Sequence, residues 1–138
     1  MMEKIYIDSD IILDLIQDRE PHSKYATILF SMIEKGVVKG HVSSLIFSNL
    51  YYILRKRKSS KFAIDVLRKL KAVLKILTVN EKIIELALSS NFNDFEDAIQ
   101  YYTAIENNIQ FLITRNKKDY KEKGLIICNS KEFLNLKK

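Results

Sequence analysis

Proline occurs once and glycine three times in the 138 residues. No stretch is rich in Pro, Ser or Gly, so nothing marks an interdomain linker or a low-complexity tail. Cysteine also occurs once. Cys128 cannot pair within the chain, and a thiolate metal site needs several sulfurs, so a disulfide framework and a cysteine-type zinc site are both excluded. Its expected role is to fill core space. No apolar run approaches the ~20 residues of a membrane span, and MMEKIYIDSD turns acidic too early for a secretory signal. A reducing cytoplasm is therefore the expected compartment. There is no internal repeat, and a chain of this length with 47% hydrophobic residues reads as one domain over residues 1–138.

Negative charge is in shorter supply than positive. Lys and Arg number 23 against 17 Asp and Glu, a net charge of +6, which favours a polyanionic partner such as nucleic acid without identifying one. The cations gather in Arg55 to Lys61, Arg68 to Lys75 and Arg115 to Lys123. The acids of interest sit instead within apolar segments. His22 and His41 are far apart in sequence and support no zinc site.

Hydrophobic periodicity gives alternating strands and helices. Lys4 to Ile7 is a strand ended by Asp8, after which Ser9 can cap a helix carrying Ile11, Ile12, Leu15 and Ile16. Ser23 to Lys35 is a second helix, closed by Gly36. His41 and Val42 form a brief strand, and Ser43 or Ser44 caps the helix of Leu45 to Leu54. Ser59 or Ser60 caps another helix, about Phe62 to Leu74, before a strand at Ile76 to Val79. Asn80 then caps a helix ending near Ser89. Asn93 or Asp94 starts a helix with Ala98, Tyr101, Tyr102 and Ile105 on its apolar face. Strands at Gln110 to Thr114 and Leu125 to Cys128 follow, and Ser130 caps a terminal helix. The implied fold is α/β, a three-layer sandwich with a mainly parallel sheet of about four to five strands flanked by helices.

In open α/β sheets the ligand crevice lies beyond the carboxyl ends of the strands. Asp8 follows the first strand directly, and Thr114-Arg115-Asn116-Lys117-Lys118-Asp119 follows another. Asp94 and Asp97, three residues apart, share a helix face. Carboxylates forced together raise one another's pKa, a cost that a hard divalent cation removes. Mg²⁺ or Mn²⁺ suits oxygen ligands and could orient water against a phosphodiester. Taken singly, Asp8 is equally an N-cap, and Asp94 and Asp97 first-turn charges that complement a helix dipole.

Three blocks, IYIDSDIILDLI, SSLIFSNLYYILRK and DFEDAIQYYTAIENNIQFLITRNKKDY, resemble a PIN domain over nearly the whole chain. They are most similar to the bacterial branch, many of whose members are toxins of toxin–antitoxin pairs. The resemblance implies a metal-dependent endoribonuclease acting on RNA, held inactive by a small antitoxin that covers the acidic groove, and assembled as a homodimer. It makes Asp8, Asp97, Asn116 and Asp119 the catalytic set, with Asp8, Asp97, Asn116 and Asn49 on the metal. Asp94 becomes a supporting carboxylate, Arg115 a phosphate contact or carboxylate anchor, and Asp10 a residue that holds the loop near Asp8.

The chain departs from the family pattern at Asn49, where such nucleases usually carry an acid. An amide oxygen coordinates without charge, so divalent binding should weaken. A catalytically weak or silent PIN-like module that binds RNA or protein is the alternative reading. A response-regulator-like phosphohydrolase lacks its nucleophilic motif here. Helical spacing turns Asp10 away from Asp8 and puts Asp14 toward solvent. The pairs Tyr51–Tyr52 and Tyr101–Tyr102 are expected to pack, one ring of each pair toward the sheet.

Overall fold

A computed structural model describes residues 2–120 and 124–137. The basic segment Arg115 to Lys123 therefore lies partly outside the described residues. Strands β1 (Glu3–Ile7), β2 (Val38–Ser43), β3 (Leu74–Leu77), β4 (Phe111–Ile113) and β5 (Ile126–Cys128) form a parallel sheet in the order β3-β2-β1-β4-β5. Seven helices flank it among the described residues: α1 (Ser9–Ile16), α2 (His22–Glu34), α3 (Ser44–Arg57), α4 (Ser60–Val73), α5 (Glu81–Leu88), α6 (Phe95–Glu106) and α7 (Ser130–Leu136). This is the expected three-layer sandwich, with all five strands parallel rather than most of them.

Alternation along the central strand separates the two outer layers. Ile5 and Ile7 face α1, α2, α3, α4 and α7 through Ile12, Leu29, Leu50, Ala63 and Phe133, all fully buried. Tyr6, between them, faces the opposite layer, where Tyr101, Ala104 and Tyr120 cover it. Tyr101 is buried against this face, and Tyr102 packs half-buried toward α5. In the other tyrosine pair Tyr51 packs on the core, whereas Tyr52 is exposed. Gly40 in β2 is required by close packing, because a Cβ there would lie 2.7 Å from Leu74 Cδ2 and 2.9 Å from Ile33 Cδ1. Gly36, at φ 77°, ends α2 as expected.

Several boundaries differ from the sequence expectation. Strand β2 spans six residues instead of two, because its neighbours β1 and β3 supply a full ladder to a segment of modest hydrophobicity. Strand β3 begins at Leu74 rather than Ile76, at the point where α4 ends one residue early. Two caps shift back by one residue. Asp8, not Ser9, caps α1 by accepting from Ser9 N, and Asn129, not Ser130, caps α7 in a capping box with Glu132. Where two caps were open, Ser43, Ser59 and Asp94 are the ones that act.

This topology fixes where a ligand crevice lies. From β1 the chain builds β2 and β3 on one side, then crosses to β4 on the other. The connections therefore diverge between the carboxyl ends of β1 and β4, where the backbone of Asp8 donates to Ile113 O at 2.9 Å. No described helix is long and apolar enough to cross a membrane.

Candidate active site

Asp8 stands on that edge in extended conformation, nearly buried. Among the described residues four satisfy its carboxylate, and none of them is charged. Ser9 N donates to Oδ1 at 2.7 Å and Gln100 Nε2 at 3.2 Å, while Thr114 Oγ1 donates to Oδ2 at 2.9 Å. Tyr120 Oη lies 3.3 Å from Oδ2 and also 3.3 Å from Asp97 Oδ1, so one hydroxyl joins two carboxylates 89 residues apart in sequence. Its single proton serves one of them at a time, and Gln100 Nε2 holds it in place by donating to Oη at 2.9 Å.

The electrostatic consequence appears at Asp97. Its carboxyl is pushed up from 3.8 to about 7, first by burial and then by the charges of Asp94, Asp8 and Asp119, with the Tyr120 hydrogen bond opposing. Asp94 is at once the N-cap of α6, accepting from Asp97 N at 3.0 Å, and a source of this field. Asp119 is exposed in a short 3₁₀ turn at Lys117–Asp119 and adds charge from outside. Tyr120 is raised above its ordinary value, by burial foremost and then by Asp8 and Asp97, and is a hydrogen-bond donor at neutral pH.

Asp10 does not turn away from this group. Thr114 Oγ1 lies 2.9 Å from Asp8 Oδ2 and 3.4 Å from Asp10 Oδ2, and Arg115 N donates to the latter oxygen at 3.0 Å. Asp10 thus does hold the β4 loop near Asp8. Burial, followed by the charge of Asp8, pushes its carboxyl up to about 6. Asn116 reaches Asp10 rather than Asp97, through Nδ2 at 3.4 Å. Asp14, expected at the surface, is fully buried, because Arg115 crosses from the loop and binds it by Nε at 2.8 Å and Nη2 at 3.0 Å. Arg115 is thereby a carboxylate anchor. Asn49 contacts neither Asp8 nor Asp97 through a hydrogen bond. Its Nδ2 lies 3.4 Å from both carboxylate oxygens of Glu96, on the first turn of α6.

The structure therefore gathers Asp8, Asp97, Asp10 and Asn116 around Thr114 and Tyr120, adds Asp94 and Asp119 as neighbouring charge, and leaves Asn49 on Glu96. Gln100, Thr114 and Tyr120 were missed by the sequence reading. Gln100 carried a signal: it lies three residues after Asp97 and puts a polar group on the buried face of α6. Tyr120 closes the NKKDY block, and its place one residue after Asp119 is the signal that could have marked it.

Among the described residues no three His, Cys, Asp or Glu side chains form a ready cage for a metal. The donor set still fits a hydrated hard cation, which is held by one or two carboxylates and keeps several waters. Every available donor is oxygen, and two buried oxygens in the group, Gln100 Oε1 and Asp10 Oδ1, have no hydrogen-bond partner.

The PIN domain profile matches residues 4–118. Ribonuclease VapC1 of Aquifex aeolicus is 25% identical over 136 residues, covering 95% of this chain and 93% of that protein. Two solved structures share the fold at lower identity. A DNA-bound VapBC from Salmonella typhimurium superposes with a TM-score of 0.70 at 14% identity, covering 94% of this chain and 99% of that one. VapC20 of Mycobacterium tuberculosis, a toxin that cleaves the sarcin-ricin loop, gives 0.66 at 15% identity, with 83% and 92% covered.

Proposed function

Because the chain belongs to the PIN-domain family, we propose that it is an endoribonuclease that hydrolyses RNA phosphodiester bonds with Mg²⁺ or Mn²⁺, and that residues 1–138 act as one domain. One observation carries this reading: Asp8 and Asp97 share the Tyr120 hydroxyl at the diverging strand ends, and neither forms an ion pair among the described residues. Asp8 and Asp97 would hold the cation, with Asp10 and Asn116 behind them, while Asp94 and Asp119 deepen the negative potential that attracts it. When bound, such a cation orients a water toward the phosphorus and stabilises charge on the phosphoryl oxygens. Asp8 is aimed by its four neutral neighbours. Asp97, whose carboxyl is pushed up to about 7, would release its proton to hold such a cation. The test is incubation of a mixed RNA pool with and without Mn²⁺, for parent and Asp97→Asn. Cleavage only by the parent and only with metal is expected, and a metal-independent or Asp97-independent result removes the reading.

The cognate partner is proposed to be a small antitoxin, consistent with the toxin–antitoxin complexes among structures of the same fold. An apolar groove of about 330 Å³ between α1, α2 and α4, lined by Leu15, Ile16, Phe30, Phe62, Val66 and Leu70, offers it a seat. Exposed Tyr52 and Ile53 on α3 support a two-fold contact between copies, and sedimentation equilibrium distinguishes the dimer from a monomer. The cytoplasm is the proposed compartment, in keeping with Cys128, a buried thiol pushed up to about 11 by that burial. The silent-module alternative keeps one support, the amide at Asn49, and the same cleavage assay decides it.

A further inference from the structure

A second cavity, of about 380 Å³, opens on the far side of the loop that closes the acidic centre. Arg115 is the shared wall. Its backbone N–H faces the acidic group through Asp10, while its guanidinium crosses to Asp14 and lines the cavity, its side chain still 30% exposed. Tyr25, His22, Asn129, Ser130 and Lys131 complete the chemically distinctive part of the lining. Asp14 brings no free negative charge, since Arg115 binds it twice and Arg19 stands 3.9 Å away.

The half-buried Tyr25 ring has two ammonium groups near it, Lys24 Nζ at 5.8 Å and Lys131 Nζ at 5.7 Å from its centroid. Ser130, 5% exposed, has a hydroxyl with no hydrogen-bond partner. A buried hydroxyl left unpaired is costly, and a ligand oxygen would satisfy it. An aromatic face among ammonium groups, joined to an open guanidinium edge, is the combination that single-stranded nucleic acid uses, base on ring and phosphate on cation.

We propose that this cavity binds one nucleotide of single-stranded RNA flanking the scissile bond, its base stacked on Tyr25, its phosphate on Lys131 and Arg115, and an oxygen accepting from Ser130. The assignment rests on the ribonuclease reading for its substrate, but binding does not need the metal, so the two fail separately. Anisotropy of a labelled single-stranded RNA oligonucleotide in the presence of a chelator should show about tenfold weaker binding for Tyr25→Leu and for Lys131→Glu, and parental binding for Tyr25→Phe, which keeps the ring. With Mn²⁺, the first two variants should raise KM for cleavage and keep kcat. Lys131 is exposed, so its variant tests the site even if Tyr25→Leu perturbs packing. Weakened binding in these variants of a parent that cuts no RNA supports the cavity and overturns the nuclease. Parental affinity in both variants, or no RNA binding by the parent in chelator, overturns the cavity whether or not RNA is cut.

Discussion

Helix α1 begins at one buried carboxylate and carries another six residues on, and the two are treated differently. Asp14 receives a guanidinium in a two-pronged contact, with a second arginine nearby. Among the described residues Asp8 receives Ser9, Gln100, Thr114 and Tyr120, none of them charged. A buried ion needs a counter-charge or a proton. At Asp14 the protein supplies the counter-charge and the carboxylate pins α1 to the β4 loop. Around Asp8 the excess negative charge appears in its neighbours, with Asp97 pushed up to about 7 and Asp10 to about 6. One carboxylate is neutralised by folding, and the other group has no counter-charge among the described residues.

The sharpest way to test this contrast is to remove charge from each side in turn. Asp97→Asn should reduce metal-dependent RNA cleavage by about 100-fold or more, at or beyond the upper end of the ~10–100-fold lost with the outer-shell partners of metal ligands, as read from initial rates at saturating Mn²⁺. The chain should nevertheless stay folded. Arg115→Ala should do the reverse, costing about 3 kcal/mol of stability in urea titration because it strands a fully buried carboxylate. If Arg115→Ala proved harmless, the Asp14 pair would not be the anchor that the geometry describes.

A pH series separates the two regions further. The carboxyl of Asp97 is easier to protonate in the folded chain, near 7, than at its ordinary 3.8. Its contribution to stability is therefore fully present at low pH and is lost as pH rises between about 4 and 7. Without metal, Asp97→Asn should melt higher than the parent by a margin that grows across that window, followed by thermal melts in chelator. Mn²⁺ should shrink the margin by stabilising only the parent. Calorimetry near pH 6 in buffers of different ionisation enthalpy should show proton release when Mn²⁺ binds.

The smallest effect is expected at Asn49. The resemblance puts Asn49 on the metal in place of an acid, but the amide faces Glu96. Asn49→Glu should thus lower metal-free stability by about 0.5 kcal/mol through repulsion across an exposed contact, and Asn49→Glu with Glu96→Gln should restore it. An increase in Mn²⁺ affinity in the double variant would show that position 49 still reaches the cation.

The sequence by itself determined the alternation of strands and helices, and with it the parallel sheet and the edge on which Asp8 and Thr114 to Asp119 emerge. These follow from local periodicity and from the handed, layered packing that such an alternation obeys. It also marked Asp8, Asp97, Asp10, Asn116 and Arg115 as residues of interest, all five within blocks quoted for their likeness to a family. What it left undecided is the set of long-range pairings. Gln100 meets Asp8 from 92 residues away, Tyr120 from 112 and Thr114 from 106. Asp14, placed at the surface by helical spacing, is buried by an arginine 101 residues on. Whether a carboxylate ends up neutralised by the protein depends on which distant side chain the fold delivers to it. A sequence read one segment at a time carries the charge of each residue and not its distance to the others, so only the tertiary structure could sort the acids of α1 and α6 into those with an ion pair, such as Asp14, and those with none among the described residues.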